Sequence, residues 1–195
     1  YGVRDLLLSD DFSNLEKAVN HENIRCIAKV HRDGLIETLE RDYKGKIDAI
    51  IHLGARTDTT EMDVDLLNRL NTEYTKAVWN YCTQNRINLI YASSAATYGL
   101  GEHGYSDDTP PELLKPLNPY GDSKNNFDAW AQSQTEKPPF HCGLKFFNVY
   151  GPNEYHKEDM RSLVAKNTVA IARGETIKLF KSHKDGYQDG GQLRD

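Results

Sequence analysis

Hydrophobic and polar positions follow two rhythms along this chain. Short apolar runs of strand length alternate with longer stretches whose apolar residues step by three or four. The runs DLLLSDD (5–11), IRCIAKV (24–30), KIDAIIHLGA (46–55), INLIYASS (87–94) and CGLKFFNVYG (142–151) predict strands. Between them, DGLIETLERDYKG (33–45) predicts a short helix starting near Asp33. Val64, Leu67, Leu70, Tyr74, Val78 and Tyr81 keep helical spacing through 60–82, with Thr59 or Thr60 as the expected N-cap. Residues 118–134 and 160–174 predict two more helices, the last stopped by Gly174. No internal repeat or low-complexity linker interrupts the series.

Strands that are nearly all apolar, separated by helices, imply a parallel sheet covered on both faces. The predicted class is therefore α/β, a Rossmann-like doubly wound parallel sheet. Ligands of such sheets bind beyond the carboxyl ends of the strands. Asp10 and Asp11, HLGA (52–55), ASSAA (92–96) and NVYG (148–151) all follow strands, so they are expected on one rim.

Composition narrows the class only a little. The 195 residues suffice for a sizeable core, and 38% hydrophobic with 27% charged residues is ordinary for a globular chain. A formal net charge of −5 argues against a nucleic-acid partner. No apolar run of about 18 residues suggests a membrane span, and no signal-peptide pattern opens the chain. Cys26, Cys82 and Cys142 lack metal spacing, so three buried thiols in a reducing cytoplasm and no metal site are expected.

Candidate chemistry centres on YGDSK, which sets Tyr120 and Lys124 four apart on one helical face. A free phenol, with a pKa of about 10, is a poor base at neutral pH, and a nearby ammonium favours its ionised form. Y-x-x-x-K alone occurs by chance in many helices. The context is more telling: Ser94 ends the preceding strand in YASSAATYG, and the next strand ends FFNVYGP. A hydroxyl there can donate to a substrate oxygen and bond the tyrosine.

This constellation resembles the extended short-chain dehydrogenase/reductase superfamily, whose members act on nucleotide sugars with a nicotinamide cofactor. HLGARTDTTEMD, YASSAATYG, KPLNPYGDSK and FFNVYGPNEYHKEDMRS narrow the resemblance to its ADP-heptose 6-epimerases. The resemblance implies inversion of C6 of the heptose by transient oxidation and reduction. Tyr120 becomes the acid/base, Ser94 orients the reacting hydroxyl, and Lys124 holds the nicotinamide ribose. Lys157, of the HK pair after NVYGP, becomes the second acid/base, although EYHKED also reads as an ordinary charged loop.

The same resemblance implies cofactor contacts at Leu53, Gly54, Ala55, Arg56, Asn71, Lys124, Val149 and Lys157. It implies substrate contacts at Ser94, Asn148, Asp159, Lys166, Phe180 and Arg194. Gly54 and Asn148 also suit plain turns, and Asn71 an exposed helix position. Asp10 and Asp11 suit a ribose 2′-hydroxyl and hence NAD. A 2′-phosphate wants a cation, for which Lys17 and Arg32 are candidates, although Lys17 also reads as a surface lysine. The family's habit favours NADP, with NAD the alternative. The implied partners are an ADP-heptose nucleotide sugar and further copies of the chain in a homo-oligomer. Tyr74, Trp79, Phe127 and Trp130 serve either that interface or the core.

The pattern also has gaps. A G-x-x-G-x-x-G loop is absent, and the resemblance places it ahead of Tyr1. The chain therefore reads as the middle of a longer enzyme, its fold incomplete at both ends and its activity poor in isolation. Residues 1–152 are expected to form the cofactor-binding domain and 153–195 to begin the substrate-binding portion. Glu158 and Asp159 stand where relatives commonly carry small residues, and SHKDGYQDGGQLRD looks long, which leaves the sugar open. A 4-epimerase or 4,6-dehydratase, or an inactive cofactor-binding scaffold, are the other readings. Ala95 and Ala96 count against the dehydratase, which wants an Asp-Glu pair beside the strand-end hydroxyl.

Overall fold

A computed structural model describes residues 5–182 and 185–191. The strands are β1 (Leu7–Asp10), β2 (Ala28–His31), β3 (Ala49–His52), β4 (Asn88–Ser94) and β5 (His141–Phe146). The helices are α1 (Leu35–Asp42), α2 (Val64–Leu67), α3 (Tyr74–Asn85), α4 (Pro119–Ser133) and α5 (Leu163–Ala172). Each lies within a stretch predicted from periodicity, except that β2 and α3 run past their expected ends and β5 starts one residue early. All strand pairs are parallel. They form a two-stranded sheet, β1–β2, and a three-stranded sheet in the order β3–β4–β5.

Contacts group the chain into two units. One runs from Ile24 to Phe146 and takes in the segment ending at Ser13. The other joins Asn14–Asn23 to the chain from Phe147 onward. In the first unit, register sorts the three-stranded sheet into two faces. Ile50 and His52 pair with Leu89 and Tyr91, and Tyr91 and Ser93 with Gly143 and Lys145. This face packs on the helices. Its core holds Leu89, Val78, Trp79, Cys82 and Phe127, with Leu35 and Leu39 of α1. Trp79 stands edge-on to Phe127, Tyr91 and Trp130. Trp79 and Phe127 thus belong to the core, with Tyr74 and Trp130 packed against it.

Coverage on both faces, expected from the apolar strands, is not found among the described residues. Ile51, Leu144 and Phe146, on the opposite face, are 65%, 39% and 41% exposed. The thiols also differ from expectation. Cys82 is buried, with its pKa pushed up to about 12, whereas Cys26 and Cys142 are half-buried; all three are free.

The long helix expected over 60–82 is interrupted. Asp63, not Thr59 or Thr60, is its N-cap, accepting from the Leu66 N–H at 2.9 Å. Thr60 instead closes a turn on Asp58. Between α2 and α3 the backbone widens into a π-turn over Asn68–Glu73. In the second unit, α5 ends at the predicted glycine. Gly174 has φ +69°, and the N–H groups of Gly174 and Glu175 donate to the Ile171 and Ala170 carbonyls at 3.0 and 2.9 Å. This is the doubly bonded left-handed stop that glycine favours.

Candidate active site

Ser94 ends β4 and caps the 3₁₀ turn Ala95–Tyr98, its Oγ accepting from the Ala96 N–H at 3.1 Å. That leaves its own hydrogen to donate, and the hydroxyl lies near enough to the Tyr120 phenol to favour its ionised form. Tyr120 lies in the first turn of α4, after Pro119 and the N-cap Asn118, which accepts from the Gly121 N–H at 2.8 Å. Gly121 lets the helix start close to that turn. A Cβ there would lie 2.9 Å from Pro116 Cβ and 3.0 Å from the Ala96 carbonyl.

Lys124 follows one helical turn later, 5% exposed, with Nζ donating to the Ala92 carbonyl at 3.0 Å. Burial pushes its pKa down to about 8, and the Asp128 carboxylate works against that shift. The phenol of Tyr120 moves upward, because burial outweighs the favourable effect of Ser94. The spacing argument expected the lysine to lower it; desolvation dominates instead.

His52, at the end of β3, was not singled out by sequence. Thr75 Oγ1 donates to the Asn71 carbonyl at 2.6 Å, so it accepts from His52 Nε2 at 3.0 Å, which assigns the tautomer. Burial, and then the Lys124 charge, push His52 down to about 4, so it is neutral at pH 7.

Asn71 is 1% exposed and sits in the π-turn. Its Oδ1 accepts from the Arg56 N–H at 2.8 Å; its Nδ2 donates to the Arg56 carbonyl and to Ser123 Oγ, both at 3.0 Å. Ser123 Oγ donates in turn to the Tyr120 carbonyl at 2.7 Å. Asn71 therefore ties the loop after β3 to the helix that carries Tyr120 and Lys124. In that loop Leu53 is exposed, Gly54 has open space where a Cβ would stand, and Ala55 is half-buried. The Arg56 guanidinium is held by Glu61 at 2.9 Å and Asp58 at 3.3 Å.

At the end of β1, Asp10 accepts from the Asp11 N–H at 2.7 Å. Asp11 takes Ser13 Oγ and N–H at 2.6 and 3.1 Å, Arg32 at 3.1 Å and His31 at 3.7 Å. Ser13 first, then the cations, hold its carboxyl down to about 2.

The remaining candidates lie in the second unit. Lys17 stands in the 3₁₀ helix Leu15–Asn20. Val149 and Lys157 line an open cavity of about 350 Å³ with Asn20, Asn153 and His156. Asn148, Asp159, Lys166 and Phe180 are exposed. Arg194 falls outside the described residues. Sequence reasoning missed Glu154, which ties the Lys157 loop together. It accepts from the Gly151 N–H at 2.9 Å, the Ser162 N–H at 2.7 Å and Ser162 Oγ at 2.8 Å. The described residues hold no His/Cys/Asp/Glu cluster able to bind a metal, and no helix long and apolar enough to cross a membrane.

Comparison with known proteins gives these residues a context. An ADP-L-glycero-D-manno-heptose-6-epimerase of Fusobacterium nucleatum is 46% identical over the whole chain, and one of Nitratidesulfovibrio vulgaris is 44% identical. The chain spans 60% of the length of each. The crystal structure of the Helicobacter pylori ADP-L-glycero-D-manno-heptose-6-epimerase superposes with a TM-score of 0.74 at 25% identity. That match covers 90% of this chain and 57% of the other. MoeE5, solved with UDP-glucose and NAD, shares the fold at 20% identity, with a TM-score of 0.61 over 91% of this chain and 64% of its own. The profile of the NAD dependent epimerase/dehydratase family matches residues 10–195. The chain belongs to that family.

Proposed function

We propose that this chain belongs to a nucleotide-sugar epimerase that inverts C6 of the heptose in ADP-D-glycero-D-manno-heptose, using bound NADP. The observation that carries the reading is the grouping of buried Ser94, at the end of β4, with buried Tyr120 and Lys124 of α4, in a chain 46% identical throughout to an enzyme of that name. The residues present fit a dinucleotide. Gly54 leaves open space after β3, Lys124 commits one of three donors to Ala92, and Asp11 and Arg32 close the end of β1 and β2. A bound nicotinamide would supply reversible hydride transfer.

The chain supplies the rest. Ser94 orients the reacting hydroxyl, and Tyr120 takes and returns its proton. Lys124 holds the nicotinamide ribose. Lys157 handles the proton of the opposite epimer. Asp11 and His31 suit a ribose hydroxyl, while Arg32 suits a 2′-phosphate, which favours NADP. Residues 153–195 begin the substrate-binding portion, and Asn148, Asp159, Lys166 and Phe180 are substrate contacts. Free thiols suit a cytoplasmic enzyme, and self-association is expected.

The test is to incubate the intact gene product with ADP-D-glycero-D-manno-heptose and follow the C6 epimer by proton NMR. Tyr120→Phe should lower turnover by about 10²-fold or more while cofactor still binds. Turnover of a UDP-hexose at C4 instead would favour a 4-epimerase. Cofactor binding with no turnover of either sugar would favour a scaffold.

A further inference from the structure

On the elements that carry Ser94 and Tyr120 lies an ion pair of buried Asp128 and half-buried Lys145 that the reaction outlined above does not use. Asp128 continues the face of α4 that carries Tyr120 and Lys124, at a further spacing of four. It is 7% exposed, and its carboxylate accepts three bonds. Ser93 Oγ donates at 2.6 Å and Lys145 Nζ at 2.8 Å to Oδ2, and the Tyr91 hydroxyl at 3.2 Å to Oδ1. Lys145 also donates to Thr97 Oγ1 at 2.8 Å and lies 5.3 Å from the centre of the Tyr98 ring. Thr97 Oγ1 donates onward to the Ser94 carbonyl at 2.8 Å.

A buried carboxylate and ammonium repay their desolvation only when further hydrogen bonds satisfy them. Here those bonds come from β4, from the turn after it and from β5, the elements that define where Ser94 points. We propose that Asp128 and Lys145 are positioning residues of the candidate active site: the pair fixes the turn that presents Ser94, and Asp128 supplies the negative charge that faces Lys124. The role at Ser94 and Lys124 rests on the epimerase reading. The electrostatics do not.

Around Lys124 the titratable groups are Tyr120 and Asp128 of α4, His52 of β3, Tyr91 of β4, Tyr98 of the turn and Lys145 of β5. His52 and the phenols are neutral at pH 7, so Asp128 is the charge that favours protonated Lys124, and Lys145, 2.8 Å from that carboxylate, offsets it. Removing each should act in opposite directions. Asp128→Asn takes away the favourable charge and lowers the Lys124 pKa by about one unit or more. Lys145→Met leaves Lys124 as the nearest counter-ion of Asp128 and raises it. Asp128→Glu restores a value near the parent's.

The measurement is a ¹³C NMR titration of reductively methylated Lys124 in this chain, with circular dichroism to confirm folding. Opposite shifts support the proposal; shifts of one sign, or none in a folded variant, overturn it. Should one variant not fold, the direction seen in the other decides. In the intact gene product, Asp128→Asn should move the alkaline limb of kcat downward by a similar interval. A uniform loss at every pH would mark a purely structural role and overturn the catalytic part. If the wild-type protein turns over no nucleotide sugar, the epimerase reading fails, and the titration still judges the pair.

Discussion

Asn71 holds both backbone groups of Arg56, accepting from its N–H at 2.8 Å and donating to its carbonyl at 3.0 Å. A third bond, to Ser123 Oγ, reaches the helix of Tyr120 and Lys124. One buried amide thus fixes the loop after β3 against the candidate catalytic helix. Asn71→Ala removes all three bonds and leaves a small cavity. It should cost about 2–3 kcal/mol, read from urea denaturation. Hydrogen exchange of residues 53–58 should rise more than that of β4. Uniform loss of protection would show that the amide stabilises the unit without pinning the loop.

The strands and helices were legible because burial imposes periods of two and 3.6 on the sequence. The π-turn was not. Leu67, Leu70 and Tyr74 keep a helical stripe whether or not one turn widens, and Asn71 reads as a weak helix residue instead of a buried clamp. Asp128 and Lys145 were equally invisible, since a charge in an amphipathic helix and another in a strand carry no joint signal. The outer face of the sheet was misjudged for a related reason: apolar residues at Ile51, Leu144 and Phe146 announce that a face can be covered, not that this stretch of chain covers it.

The ion pair of Asp11 with Arg32, 3.1 Å apart, sets up a competition at the end of β1. A ribose hydroxyl needs the carboxylate; a 2′-phosphate needs the guanidinium and is repelled by the acid. Arg32→Ala should weaken NADP binding by about tenfold, or about 1.4 kcal/mol, with little loss for NAD. Asp11→Asn should shift the preference further toward NADP. Isothermal titration of the intact gene product with both cofactors measures the ratio. Equal losses for the two would mean that the pair only shapes the loop.

Glu158 has φ 44° and ψ −119° directly after Lys157, a conformation suited to glycine. The resemblance leads one to expect a small residue at this point, and the backbone gives a physical reason. Glu154 anchors the loop from within through Gly151 and Ser162, so the turn at Glu158 must close the segment it leaves. Glu158→Gly should stabilise the loop by about 1 kcal/mol or more, seen as slower hydrogen exchange over 151–162. Glu158→Ala keeps the strain and should give no such gain. An equal response to both would place the effect in the lost carboxylate instead.

Lys124 is held in an environment that opposes its charge, and the sign of its stability effect follows. Its folded pKa, about 8, lies below the value of about 10.4 for a free lysine. The unfolded chain therefore binds the proton more tightly. Burial of Lys124 costs stability in full below about pH 8, and the cost disappears as pH rises past the unfolded value. Lys124→Met keeps the length and apolar stem, and loses one hydrogen bond to Ala92. It should stabilise this chain on the order of 2 kcal/mol at pH 7. The advantage should vanish and reverse to a loss of up to about 1 kcal/mol by about pH 10.5, where only the missing Ala92 bond counts, while Tyr120-dependent turnover in the intact gene product is lost. Thermal unfolding of parent and variant from pH 6 to 10.5 provides the comparison. A variant less stable at pH 7 would show that the Ala92 bond and Asp128 outweigh desolvation, and that Lys124 is a stabilising part of the fold instead of a charge retained for chemistry.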